Sequence, residues 1–284
     1  MKFSILIANY NNGKFFSDCY DSIIAQTYKD WEAIIVDDKS TDNSVDLISA
    51  IIKDDSRFML VLNEENKGCG FTKNRCASLA IGEVLGFLDP DDTLDPEALE
   101  IMVAAHKQNP DVSLVHSTFF YCNEKLEHMS IFERAKNVIV NSRFINLDSN
   151  VTAFSTFKIS FYNLTGGVER ALPRAVDQDL YLKLSETGPF YFIDKPLYNY
   201  RIHDKGISTS KAHNAFYWYL KVIMKAEERR QINLEDEVAK LLNRTDPNNL
   251  QMNLNNPRYL ILAMKKAFKK SPGKFFKKLF LNRY

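Results

Sequence analysis

The sequence predicts an α/β protein with a doubly wound, mostly parallel central sheet and a helical C-terminal extension. Three observations predict this. Through the first 120 residues, short apolar runs alternate with stretches of helical apolar spacing. Several of the apolar runs end abruptly in a cluster of polar residues. Beyond residue 210 the spacing becomes mainly helical, so the expected division is a domain at 1–210 and an extension at 211–284.

The elements follow in order. Residues 3–8 read as a strand stopped by Asn9-Tyr10-Asn11-Asn12-Gly13, and 15–26 carry a helical stripe through Phe15, Phe16, Cys19, Ile23 and Ile24. A second strand at 31–36 ends in Asp37-Asp38-Lys39-Ser40, and Thr41 or Asp42 caps a helix reaching about Lys53. A third strand occupies 58–62; Gly68-Cys69-Gly70 turns the chain into a helix at 72–80. The strand at 84–88 ends in Asp89-Pro90-Asp91-Asp92, Pro96 marks a helix start, and 112–121 form a fifth strand. The pattern weakens over 124–154, which reads as loop with short elements. Gly166-Gly167 is a tight turn, 176–187 a helix, and 190–193 and 197–201 two strands on either side of Pro196. Helices at 212–232 and 234–242 precede an Asn- and Pro-rich linker at 245–257 and a basic, aromatic tail.

Composition narrows the function classes. A hydrophobic share of 45% and a charged share of 26% suit an ordinary soluble protein. A net charge of +1 argues against nucleic acid as a partner. The four cysteines form no CxxC pair, which disfavours a zinc site. No apolar run approaches the roughly 18 residues of a membrane span, and the opening run is too short for a signal-peptide core. The expectation is a cytoplasmic protein with reduced thiols. The tail at 264–284 carries eight Lys/Arg, no acid and four Phe, a composition suited to an anionic membrane surface or, alternatively, to a helix packed by its Phe face. Peripheral association with the inner face of the cell membrane follows from the first reading.

Ligands of open parallel sheets bind beyond the carboxyl ends of the strands. The clusters at 9–12, 37–38 and 89–92 all fall there and converge on one edge. Three carboxylates in Asp89-Pro90-Asp91-Asp92 repel one another unless they are solvated or neutralised, and hard oxygen ligands at a strand end can hold Mg²⁺ or Mn²⁺ against a phosphate; the alternative is a solvated turn before the next helix. A carboxylate at Asp37-Asp38 can accept a hydrogen bond from a base or ribose, or form an Asx turn. Asp177 and Asp179, two apart at a helix start, do not share a face; one can serve as general base toward an acceptor hydroxyl, or both can complement the helix dipole. Arg201 and His203 can contact a diphosphate or complete a metal shell, and Lys73 and Arg75 can meet a nucleotide. The glycines near residue 68 continue into neither GxGxxG nor a P-loop.

At these positions the chain resembles the family 2 glycosyltransferases, inverting enzymes of the GT-A fold with a Rossmann-like sheet. The resemblance covers roughly residues 1–210. Ser4-Ile5-Leu6-Ile7-Ala8-Asn9-Tyr10-Asn11 is similar to V-S-I-I-I-P-T-Y-N, and Ser22-Ile23-Ile24-Ala25-Gln26-Thr27-Tyr28 to S-I-L-x-Q-T-Y. Ile35-Val36-Asp37-Asp38-Lys39-Ser40-Thr41-Asp42 resembles V-D-D-G-S-T-D, Leu88-Asp89-Pro90-Asp91-Asp92 resembles L-D-x-D-D, and Tyr198-Asn199-Tyr200-Arg201-Ile202-His203 resembles Y-x-Y-R-x-H. The stretch at 176–184 is similar to E-D-Y-D-L-W-L-R-L.

The resemblance implies a nucleotide-sugar site of Ala8, Tyr10, Asp38, Lys73, Asp89 and Arg201, with Asp38 on the nucleobase beside Tyr10 and Asp89 on the ribose. It implies Asp91 and His203 as ligands of Mn²⁺ or Mg²⁺, and Asp177 as the catalytic base. The expected partners are a nucleotide-diphosphate sugar, with a UDP-sugar favoured, and a glycan or lipid-linked acceptor. Val176 stands where the family has Glu, which leaves the base in place and bears on acceptor-side contacts, and Ala8 stands where it has Pro. The Q-x-x-R-W motif of processive relatives is absent from the sequence, so one sugar per encounter is expected.

Two other classes compete. A sugar-phosphate nucleotidyltransferase also pairs aspartates with Mg²⁺, but should carry a Gly-rich basic signature after the first strand, which Asn9-Tyr10-Asn11-Asn12-Gly13-Lys14 does not match. A non-catalytic membrane scaffold would have no need of both Asp91 and Asp177.

Overall fold

The computed structural model describes residues 1–146, 148–204 and 212–238. The first strands and helices alternate as β1 (Phe3–Asn9), α1 (Phe16–Ile24), β2 (Trp31–Asp37), α2 (Ser44–Ile52), β3 (Phe58–Leu62), α3 (Cys69–Leu79) and β4 (Val84–Phe87). There follow β5 (Thr93–Leu94), α4 (Ala98–Gln108), β6 (Leu114–Cys122), β7 (His128–Ile131), β8 (Ser155–Lys158), α5 (Ile159–Leu164), α6 (Val176–Leu184), β9 (Phe190–Arg201) and α7 (Ala212–Arg230).

Among the described residues the strands form one sheet in the order β3-β2-β1-β4-β8-β6-β9-β5, with β7 on the far part of β6. β3, β2, β1 and β4 are parallel, as the alternating pattern requires. Phe3, Ile5, Leu6 and Ile7 of β1 are all fully buried, because helices cover both faces and alternation gives way to a continuous apolar run. The core beside β1 gathers Phe16, Cys19 and Ile23 from α1 with Leu99, Met102 and Val103 from α4.

The structure departs from the sequence reading in three places. β8 pairs antiparallel with both β4 and β6, making the sheet mixed at its centre. Its four residues are all buried, too short a run to show a period. The two strands expected around Pro196 are one twelve-residue strand, β9, parallel to β6. Proline has no N–H to donate, and the ladder slips register where Pro196 faces Thr118 instead of ending there. Gly70 lies inside α3, not in a turn before it. The backbone of residues 169–172 runs so close to it that an added Cβ would collide with the carbonyl oxygens of Glu169 and Leu172.

The chain divides into two compact units, Met1–Val222 and Ile223–Tyr284, and the first contains the whole sheet. Residues 235–238 form a further helical turn. The rest of the helix expected at 234–242, the linker at 245–257 and the basic tail at 264–284 lie outside the described residues. Among the described residues no helix is long and apolar enough to cross a membrane.

Candidate active site

The polar loops after β1 and β2 interlock. The Asn9 side-chain amide donates to Asp37 Oδ2 at 2.7 Å, and Asn11 Oδ1 accepts from the Thr41 N–H at 2.8 Å. Asn11 takes the left-handed conformation, with φ of 54°, that this reach requires. Asp38 is buried, and its carboxylate accepts from Asn63 Nδ2 at 2.7 Å, Lys67 N at 2.9 Å and Gly68 N at 2.8 Å. Asp38 therefore anchors the loop leading into α3, and any nucleobase contact must use its remaining acceptor capacity. Ala8 is half-buried at the end of β1, and the Tyr10 ring beyond it is exposed.

The acidic loop after β4 is held from the end of β9. Asp92 is buried and accepts from the Tyr198 hydroxyl at 2.6 Å and from Arg201 N at 2.7 Å. Burial, with the neighbouring Asp91 and Asp89 charges, pushes its carboxyl well above the ordinary range. The Arg201 guanidinium donates to the carbonyls of Asp91 and Glu124 and to Asp18 Oδ2, each at 2.7 Å, and lies 4.6 Å from the centre of the Phe15 ring. His203 Nε2 lies 2.9 Å from Asp91 Oδ2, with the imidazole packed on the same Phe15 ring.

A third group completes the site. Lys73, on α3, is buried and reaches Asp177 Oδ1 at 2.8 Å and Asp89 Oδ1 at 3.6 Å. Its ammonium lies over the Phe87 ring, 4.9 Å from the ring centre. Burial opposes the charge, but the Asp177 and Asp89 carboxylates override it and raise the lysine pKa well above its ordinary value. Asp177 sits in the first turn of α6, entered through Ala175 in the left-handed conformation (φ 55°). Both carboxylates remain about half exposed (47% each), while Lys73 beneath them is not. The three line a small pocket of about 50 Å³ with Phe87, Phe154, Tyr181 and Tyr198.

The structure thus brings Lys73, Asp89 and Asp177 to one pocket, and Asp91 with His203 to an adjoining pair. The Arg201 side chain is 3% exposed, and its guanidinium is engaged by two carbonyls and Asp18, so in this arrangement it braces the backbone of Asp91. Asp179, the second candidate base, is buried and paired with Lys183 at 2.7 Å. Sequence reasoning missed Tyr181, and also Asp18 and Phe15, which meet Arg201 and His203 from a distant part of the chain. The Asp18–Arg201 pair joins positions 183 residues apart, and no local pattern signals it. Tyr181, by contrast, stands in the quoted 176–184 stretch and could have been found there.

This sheet, with an acidic loop at its parallel end, is the GT-A fold of nucleotide-sugar-dependent transferases. The profile described as Glycosyl transferase family 2 matches residues 4–165, and the chain belongs to that family. The match ends before Asp177, Arg201 and His203. The chain is 32% identical over 210 residues to the chondroitin synthase of Escherichia coli, covering 73% of this chain and 30% of that protein. It is 31% identical over 215 residues to Glycosyltransferase GlyG of Streptococcus pneumoniae serotype 4, covering 70% of each. Against the E. coli chondroitin synthase and the Pasteurella multocida hyaluronan synthase, the chain spans less than a third of the relative's length. Among solved structures, S. aureus TarS 1–349 in complex with UDP-GlcNAc superposes with a TM-score of 0.72 at 19% identity, over 94% of this chain and 80% of that one. The mannosyltransferase PcManGT from Pyrobaculum calidifontis, in complex with GDP-Man and Mn²⁺, gives 0.62 at 13% identity, over 98% and 83%. These two likenesses establish the fold.

Proposed function

We propose that this glycosyltransferase is an inverting, non-processive enzyme that moves one sugar from a nucleotide-diphosphate sugar to a hydroxyl of a growing polysaccharide, lipid-linked oligosaccharide or glycoprotein glycan. The observation that carries the reading is the Lys73 bridge: it puts the candidate base Asp177 and the donor-side Asp89 on one pocket, 2.8 and 3.6 Å from a common ammonium. A UDP-sugar is the favoured donor, which the complexes of TarS with UDP and UDP-GlcNAc support. The polysaccharide class is supported by the likeness to chondroitin and hyaluronan synthases.

Asp38 and Tyr10 would hold the nucleobase beside Ala8, and Asp89 the ribose. Asp91 and His203 would hold Mn²⁺ or Mg²⁺. Their carboxylate oxygen and imidazole nitrogen, 2.9 Å apart, fit such an ion, and Mn²⁺ accepts the nitrogen more readily. Among the described residues no group of three or more His, Cys, Asp or Glu side chains could hold a metal, so the remaining ligands would be phosphate oxygens and water. When bound, the ion would neutralise charge on the departing diphosphate. Arg201 would act through Asp91, fixing its backbone.

In the transfer, Asp177 takes the proton of the acceptor hydroxyl as its oxygen bonds to the anomeric carbon. The bond from that carbon to the diphosphate oxygen breaks on the opposite face, and its electron pair leaves with the nucleotide. Inversion follows from one in-line displacement. The basic tail at 264–284 would rest on an anionic membrane surface, where lipid-linked acceptors are anchored; its eight cationic side chains support this. Deleting it should weaken binding to anionic liposomes at low salt and spare nucleotide binding.

The test is a screen of UDP-, GDP- and dTDP-sugars for binding and nucleotide release, with and without Mn²⁺. Nucleotide release with a preference for one donor is expected. If no nucleotide sugar binds under either condition, the proposal fails.

A further inference from the structure

Lys73 has a feature that donor binding alone does not require. Its shorter contact is to Asp177 and not to the donor-side Asp89. Asp177 Oδ1 is therefore engaged by an ammonium that has little water to replace its partner, being only 5% exposed. The pair is held on a rigid frame. The Gly70 N–H donates to the Leu172 carbonyl at 3.1 Å, and Asn74 Nδ2 to the Val168 carbonyl at 2.9 Å, so α3 and the segment entering α6 do not slide apart easily. The lysine stem, in contrast, is flexible, and the ammonium lines a small pocket, with Asp89 as a second partner 3.6 Å away.

We infer that Lys73 is a latch on the base: it pairs with Asp177 until a nucleotide diphosphate draws its ammonium toward Asp89, freeing Asp177 for the acceptor hydroxyl. The inference rests on the proposed donor site. A diphosphate beside Asp89 brings at least two further negative charges to the ammonium's second partner, and a lysine carries three donors with which to exchange one partner for another. Base availability is then coupled to donor occupancy, and an acceptor arriving first meets a carboxylate whose Oδ1 is already paired. Lys73 is on this account a positioning residue for the base as well as a contact for the donor.

The latch predicts an unusual sign. Breaking the Lys73–Asp177 pair must cost nucleotide affinity, so removing the Asp177 charge should tighten nucleotide binding. Titration calorimetry with UDP in excess Mn²⁺ compares the wild-type chain, Asp177→Asn, Lys73→Met and the double variant. Asp177→Asn should bind UDP about tenfold more tightly, the factor expected if the competent state is populated about one-tenth of the time. Lys73→Met should bind more weakly, and in that background Asp177→Asn should change nothing. No tightening, or tightening that persists without Lys73, overturns the latch. Should UDP not bind the wild type, the titration is repeated with GDP and dTDP. If none of the three binds, the donor-site reading itself has failed, a different outcome. If Lys73→Met does not fold, crystals of the wild-type chain soaked with the bound nucleotide and Mn²⁺ decide the matter. Nζ on the diphosphate and beyond 4 Å from Asp177, the limit of an ion pair, supports the latch. An unchanged pair beside bound nucleotide overturns it.

Discussion

The Tyr198 hydroxyl donates to Asp92 Oδ2 at 2.6 Å, joining β9 to the acidic loop after β4 across 106 positions of sequence. The bond is buried and is reinforced from Arg201 N on the same strand. Tyr198→Phe leaves a buried carboxyl short of a donor and should cost about 1–3 kcal/mol, read as a lower urea midpoint. Nucleotide binding should weaken in parallel, because the loop carrying Asp89 and Asp91 loses a tether.

Asp177→Asn keeps the shape of the side chain and removes its basicity. Turnover should fall by about 10²–10⁴-fold, the usual worth of a positioned general base. The donor KM should not rise. Steady-state kinetics with saturating donor separates the two. Unchanged kcat would move the base elsewhere, and not to Asp179, which is sealed against Lys183.

Chelation by EDTA should abolish nucleotide release, and Mn²⁺ should restore it. Asp91→Asn and His203→Asn should each raise the Mn²⁺ concentration for half-maximal activity. Outer partners of a metal ligand already cost about 10–100-fold when lost, so removing a ligand should cost no less. Activity indifferent to EDTA and to both substitutions would exclude the assignment of this pair.

Gly70→Ala tests the docking of α3. The added methyl meets two backbone carbonyls, which cannot rotate away as a side-chain tip can. A loss of about 1–3 kcal/mol is expected from overpacking, measured by urea denaturation.

Acid should destabilise the fold through two buried histidines. Burial lowers the His116 pKa to about 4, and burial with the nearby Lys158 charge lowers that of His106 to about 3. The folded state therefore favours the neutral rings. Their contribution is complete above the unfolded value near 6.5 and is lost as pH falls from there toward 4 and 3. Each should remove roughly 1.4 kcal/mol per pH unit within its window. Urea midpoints at pH 7 and pH 5 for the wild type and for His116→Gln would show the dependence diminish in the variant.

The motifs at 9–12, 37–38 and 89–92 were legible because a strand ending in polar residues is a local signal, and parallel topology collects such ends on one edge. The short strand β8 was not, since four buried residues show no period, and neither was the continuity of β9 through Pro196, because a ladder that tolerates proline by slipping register cannot be read from one strand. At the site, the sequence alone pointed to Asp38, Asp89, Asp91, Asp177 and His203 by residue type and motif. Only the tertiary structure decided what each touches: Asp38 in a buried cage of amide donors, Arg201 turned inward to Asp18 and the Asp91 carbonyl, and Lys73 between Asp89 and Asp177. The physical reason is that a charge is identified by its side chain, but its working state is set by burial and by partners that the chain brings from up to 183 positions away.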